Sequence, residues 1–157
     1  MKTLLSRRRL KVSLFLIILC HCLCWVKAQT SAPLTYLGIE HGLSNNSVTC
    51  IYQDPYGFMW FGTYEGLNRY DGNTFKIFRN QPQDSSSLVH NRIVSVTADL
   101  DNRLWIGTKA GSSLFNYLTT TFSRLRYVPW EEKEPTLITV TINDVEADKA
   151  GNVLIAT

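Results

Sequence analysis

Asp54-Pro-Tyr-Gly57-Phe-Met-Trp60-Phe-Gly62-Thr63 returns 45 residues later as Asp99-Leu-Asp-Asn102-Arg-Leu-Trp105-Ile-Gly107-Thr108. A third version, Asp148-Lys-Ala-Gly151-Asn-Val-Leu154-Ile-Ala156-Thr157, follows after a further 49 residues, with Leu154 for the Trp and Ala156 for the Gly. An apolar, β-rich run precedes each copy: Val48–Gln53, Ile93–Ala98 and Ile142–Ala147. The first two copies also continue alike. Gly66-Leu-Asn-Arg-Tyr70-Asp71 matches Gly111-Ser-Ser-Leu-Phe115-Asn116, and Thr74-Phe75 matches Thr121-Phe122 after a two-residue insertion.

One such unit reads as four short strands. Strand A is Val48–Gln53. Asp54-Pro-Tyr-Gly57 is a tight turn in which Asp accepts backbone N–H groups, Pro sets φ and Gly accepts a positive φ. Strand B, Phe58–Thr63, is apolar on both faces and so needs cover on both faces. Gly66 opens strand C, and Asp71-Gly72 is a hairpin turn into strand D, Thr74–Phe78. Four strands every 45 to 49 residues fit the blade of a β-propeller. An ordinary β-sandwich also repeats its turns, but it does not require Trp-x-Gly-Thr at a fixed place in every unit. The fold class is therefore all-β, an incomplete β-propeller over 29–157 with about two and a half four-stranded blades at about 43–80, 88–128 and 138–157. The repeat skeleton is Asp54, Gly57, Trp60, Gly62, Gly66, Asp99, Trp105, Gly107 and Gly111.

Outside the repeats, residues 1–28 read as a signal peptide. A basic segment, Met1–Lys11, leads into the apolar run Val12–Val26, and Val26-Lys27-Ala28 offers a cleavage site before Gln29. That run of 15 residues is shorter than the ~20 a spanning helix needs, which argues against an uncleaved anchor. Lipoprotein processing fits poorly, because Leu19 and Leu23 precede Cys20 and Cys24. The expected location is periplasmic, with membrane contact only through the leader or through a parent region beyond this sequence. Six of the 16 basic residues fall in 1–28 with no acid, leaving ten against 13 acidic residues, so nothing points to nucleic-acid binding. Three of the four cysteines leave with the leader, and Cys50 remains as a small buried hydrophobe with no disulfide partner. No metal or cofactor motif is present.

Leu43-Ser44-Asn45-Asn46-Ser47-Val48, followed by Ile51 through Gly72 as quoted above, resembles the two-component regulator propeller repeat. The resemblance covers most of 43–157. In that family such repeats build the periplasmic sensor of hybrid two-component regulators, notably those controlling polysaccharide use in gut anaerobes. It implies a parent with two seven-bladed propellers, a small β-sandwich, a membrane helix, a histidine kinase, a receiver and a DNA-binding domain. No kinase, receiver or DNA-reading segment occurs in these 157 residues. The chain is thus expected to be an N-terminal fragment whose partners are the remaining blades of a longer sensor, and to be marginally stable alone. Trp105 would have a blade on each side, whereas the outer neighbour of Trp60 would be the last blade of a ring.

Binding is expected on the loops, where a rigid scaffold presents variable groups. The B–C loop holds Tyr64 and Glu65, with Lys109 at the same place in the next unit. The D–A loop, about Arg79–Arg92, is long and polar. Tyr64, Glu65, Arg92 and Lys109 are the candidate ligand contacts, and aromatic plus charged groups suit an oligosaccharide or a uronic-acid oligomer. Trp60 and Trp105 are assigned to inter-blade core rather than sugar stacking because they recur at one blade position. Asp54, Asp99 and Asp148 are assigned as turn acceptors, since one carboxylate per blade cannot assemble the 6–8 oxygens of a calcium site. Asp144 and Glu146 alternate along a strand, Glu131–Glu134 is a solvated loop, and His41 and His90 have no evident partner. No pair of facing carboxylates of the kind glycoside hydrolysis uses is recognisable, so the chain is read as a non-catalytic binding module. A secreted lyase or glycosidase, or a scaffolding propeller, is the alternative.

Overall fold

A computed structural model describes residues 34–128 and 133–157. The leader expected at 1–28, and Glu131 and Glu132 of the expected solvated loop, lie outside the described residues. Every strand among the described residues lies in the compact unit Tyr36–Thr157. Strands β1 (Val48–Gln53), β2 (Met59–Thr63), β3 (Gly66–Tyr70) and β4 (Phe75–Phe78) form one antiparallel sheet in the order β1-β2-β3-β4. Strands β5 (Ile93–Ala98), β6 (Leu104–Thr108), β7 (Gly111–Asn116) and β8 (Thr121–Arg124) form a second sheet of the same order. A short pair, β9 (Arg126–Tyr127) and β10 (Thr136–Leu137), precedes a third sheet made of β11 (Asp144–Ala147) and β12 (Val153–Ala156). The chain is all-β, with propeller blades, as its repeats require.

The blades stack face to face. From the first sheet, Trp60, Leu67 and Phe78 meet Ile93, Val96, Leu104, Ile106, Phe115 and Phe122 of the second. Alternation decides which side chain goes where: Leu104 and Ile106 are fully buried against the first blade, while Trp105 between them turns the other way. The two Trp-x-Gly-Thr glycines sit where the next blade comes closest. A Cβ on Gly62 would lie 2.7 Å from Ile93 Cγ2, and one on Gly107 2.9 Å from Ile142 Cγ2. The threonines close the B–C hairpins: Thr63 Oγ1 donates to Gly66 O at 2.9 Å, and Thr108 Oγ1 donates to Gly111 O at 2.7 Å.

Several expectations shift. The fully buried tryptophan is Trp60, and Trp105 is only partly covered. Each indole faces forward onto the following blade, so Trp60 packs on Phe115 of a complete sheet, with ring centroids 5.0 Å apart. Trp105 faces a third sheet of two strands. On the opposite face of the first sheet, Ile51 is 59% exposed, whereas Val96 at the same place in the second is 8% exposed. The third strand A begins at Asp144 rather than Ile142, because Ile142 N donates to Thr108 O instead of entering a ladder. Phe58 and Thr74 likewise fall just outside their strands. The D–A loop is tied down along its length: Asn80 Nδ2 donates to Leu88 O, Asn91 Oδ1 accepts from Asn80 N, and Ser86 O accepts from Phe122 N of β8. That last bond covers the outer edge of the second sheet.

Replacing Trp60 with alanine should destabilise the chain by about 3–5 kcal/mol, the range for deleting a buried aromatic side chain. Trp105→Ala should cost clearly less. Urea unfolding of the two variants checks this, and an equal or reversed order would contradict the forward packing.

Candidate functional site

The Asp that opens each A–B turn is bonded through both of its carboxylate oxygens. Asp54 Oδ1 accepts from Tyr56 N and Phe58 N, both at 3.0 Å. Its Oδ2 accepts from Trp60 Nε1 at 2.7 Å and from the hydroxyl of Tyr117, in the second blade, at 3.0 Å. Asp99 repeats the turn bonds with Asp101 N and Arg103 N, and its Oδ2 accepts from Trp105 Nε1 at 2.8 Å and Arg103 Nε at 2.7 Å. Asp148 repeats them with Ala150 N and Asn152 N, and Asn152 Nδ2 donates to its Oδ2 at 2.8 Å in place of the indole that Leu154 lacks. The turn position beside these bonds needs a positive φ, met by Gly57 (89°), Asn102 (59°) and Gly151 (90°). These carboxylates are thus turn acceptors, and the first two also anchor an indole, which sequence reasoning missed.

Their ionisation follows from this. Burial alone would raise the Asp99 carboxyl, but the donors from Trp105 and Arg103 outweigh it and hold it below the ordinary carboxylate value. The Asp148 carboxyl is held low by the side chain and backbone N–H of Asn152. Burial, and then the bond to Asp54, push the Tyr117 hydroxyl well above the usual tyrosine range. Cys50 is unpaired and partly buried, and burial raises its thiol. It behaves as a small hydrophobe rather than a nucleophile.

The loops at the opposite end of the blades carry Tyr64, Glu65, Arg92 and Lys109. Arg92 lies over the ring of Tyr64, with its guanidinium carbon 4.3 Å from the centroid. The contact joins the B–C loop of one blade to the D–A loop entering the next. Tyr64 is 46% exposed. Thr63 Oγ1 fixes the loop by accepting from Glu65 N at 3.0 Å. Lys109 N donates to Arg92 O at 3.1 Å, and Thr141 Oγ1 donates to Lys109 O at 3.1 Å. Glu65 is reached through its carbonyl, which accepts from Arg79 Nε at 3.0 Å, and its carboxylate makes no ion pair among the described residues. So Tyr64 and Arg92 are brought together, Lys109 is linked to Arg92 through backbone, and Glu65 stands apart. His90 and His41 do have partners: His90 Nδ1 accepts from Arg92 N at 3.0 Å, and His41 Nδ1 accepts from Gly38 N at 3.2 Å. Chemically, a guanidinium held over an aromatic ring carries five N–H donors suited to carboxylate or hydroxyl oxygens. A separate cleft of about 530 Å³ lies between the β9–β10 pair and the third sheet, lined by Tyr127, Ile138, Val153 and Ile155 among others. None of the four candidate residues lines it. Among the described residues no group of three or more His, Cys, Asp or Glu side chains is placed to hold a metal ion, and no helix is long and apolar enough to cross a membrane.

The sequence profile described as two component regulator propeller matches residues 42–65. The matched stretch runs from the segment before β1 to the B–C loop, so it contains Asp54, Trp60, Tyr64 and Glu65. Over 47 residues the chain is 57% identical to histidine kinase P4 of Formosa agariphila, an overlap of 30% of this chain and 3% of that protein. Among solved structures it is similar to the extracellular domain of a hybrid two-component system of B. thetaiotaomicron, with a TM-score of 0.66 and 35% identity over 78% of this chain. The extracellular domain of a second such system from the same organism matches with a TM-score of 0.62 and 25% identity over 81% of this chain. The chain spans 17% and 18% of those two domains. The fold shared with those two extracellular domains covers 78% and 81% of this chain.

Two outcomes follow. Asp54→Asn turns one acceptor into a donor facing donors, and should cost about 1–3 kcal/mol in urea unfolding. Combined with Tyr117→Phe it should be less than additive, because the two share a bond. On acidification, Asp99, with its folded-state value depressed, contributes stability that is complete above the unfolded carboxylate value of ~3.9 and is lost as pH falls through the lower folded value. Asp99→Asn should flatten this acid limb of the stability–pH curve, and an unchanged limb would remove Asp99 from the account.

Proposed function

We propose that this chain is the N-terminal portion of a periplasmic, ligand-sensing propeller of a hybrid two-component signalling protein, with an oligosaccharide released from a polysaccharide as its ligand. The observation that carries the reading is the likeness, over 78% of the chain at 35% identity, to the extracellular domain of a hybrid two-component system. The basic and apolar leader supports export. Kinase and DNA-binding activities belong to a longer parent.

Tyr64, Glu65, Arg92 and Lys109 are the ligand contacts in this reading. Tyr64 belongs to the first blade, and Arg92 and Lys109 to the second. A ligand held between them acts across a blade junction and favours one relative placement of the blades, which is how binding biases a two-state sensor. A sugar ring offers C–H groups to Tyr64 and hydroxyl or carboxylate oxygens to Arg92. Glu65 is the one carboxylate among the four, whereas glycoside hydrolysis uses a pair, so the site binds without turnover.

Calorimetric titration of the full chain with neutral and uronic-acid oligosaccharides tests this. Saturable binding without product is expected. Arg92→Ala should weaken it about tenfold or more, equivalent to ~1.4 kcal/mol. Product formation would move the chain to the enzymes, and silence across the panel would remove the oligosaccharide.

A further inference from the structure

At the end of the first blade away from Tyr64, the pairing puts two cations side by side. Tyr52, Trp60, Arg69 and Lys76 form one row across β1, β2, β3 and β4, with Trp60 opposite Arg69 and Arg69 opposite Lys76. Residues directly opposite in neighbouring strands share a face, with Cβ atoms about 4.5–5.5 Å apart, and like charges placed so are destabilising. Neither side chain makes an ion pair with an acid among the described residues. Their contacts are with aromatic rings. The Arg69 guanidinium carbon lies 4.4 Å from the centroid of Phe58 and 5.9 Å from that of Trp60, and Lys76 Nζ lies 5.3 Å from that of Phe78.

The blade does not need this arrangement. In the second blade the same row reads Thr97, Trp105, Leu114 and Ser123. Leu and Ser therefore satisfy the same sheet positions, and the cation pair is an addition peculiar to the first blade. Rings lie against both charged heads, so less side-chain freedom remains to be lost when something bridges the two.

We propose that Arg69 and Lys76 form an anion-binding site for an oxyanion group, sulfate or carboxylate, carried on a larger ligand. The guanidinium offers paired N–H donors, the ammonium supplies a second positive charge, and the bound oxyanion relieves their mutual repulsion. The site is independent of the loop contacts of Tyr64 and Arg92.

The test is an NMR titration of the full chain with sodium sulfate against sodium chloride at matched ionic strength. The Arg69 Nε–H and Trp60 indole resonances should shift saturably with sulfate, and Trp105 should not respond. The double variant Arg69→Leu, Lys76→Ser, which installs the residues of the second blade and so preserves the fold, should weaken the response at least about tenfold. A sulfated oligosaccharide, an oligouronate and a neutral oligosaccharide of the same length then identify the carrier. Whichever anionic sugar binds tighter than the neutral one, and loses that advantage in the double variant, names it. Equal responses to sulfate and chloride, an unchanged double variant, or neutral and anionic sugars binding alike would each overturn the proposal.

Discussion

A carboxylate at the start of each A–B turn is the constraint on which the rest depends. Its inner oxygen orders the turn by accepting two backbone N–H groups, and its outer oxygen takes the indole or its substitute. Asp54 and Asp99 are buried, where an acceptor left short of donors is costly, and each blade supplies its donors differently. In the first the fourth donor is Tyr117 of the following blade, in the second it is Arg103, and in the third Asn152 replaces a missing indole. Because Asp54 spends one bond on Tyr117, a local turn device also joins two blades.

That junction has a direction. Trp60 is drawn toward Asp54 by its N–H and presents its ring to Phe115 and Tyr117 of the next sheet. Gly62, lacking a side chain, lets Ile93 approach, and Gly107 does the same for Ile142. Each blade thus receives the next, and the side chains that face backward, such as Val96 and Leu104, fill the space in front of them. With the turn end fixed by carboxylates, the opposite end is left to the B–C and D–A loops. There the only cross-blade side-chain stack among the four loop residues is Arg92 on Tyr64. The carboxylate-bonded turns and these loops lie at opposite ends of the same strands, which lets the loops vary without disturbing the core.

Much of this was legible in the chain. The period of the Asp…Trp-x-Gly-Thr unit, the Asp71-Gly72 hairpin and the alternation in strands A to C placed the strands within a residue or two, because turn chemistry and side-chain alternation are local. The role of Asp as acceptor was legible for the same reason. What was missed is non-local. The bond from Tyr117 to Asp54 spans 63 residues. The β9–β10 pair is formed by two-residue segments without strong β signals, and the stack of Arg92 on Tyr64 joins groups whose separation in sequence hides their contact. A usable hint was present in Tyr117, which lies in the two-residue insertion that sets the second repeat apart from the first.

The sequence by itself determined the all-β class, the blade period, the turns and the identity of the repeat, since these depend on residues within a few positions of one another. Only the tertiary structure decided which face of each blade meets which neighbour. It therefore decided that Trp60 rather than Trp105 is sealed, that the Trp-x-Gly glycines serve close approach, and that Arg69 and Lys76 stand together. Alternation along a strand says that two faces exist, and only the stacking of blades says what each face touches.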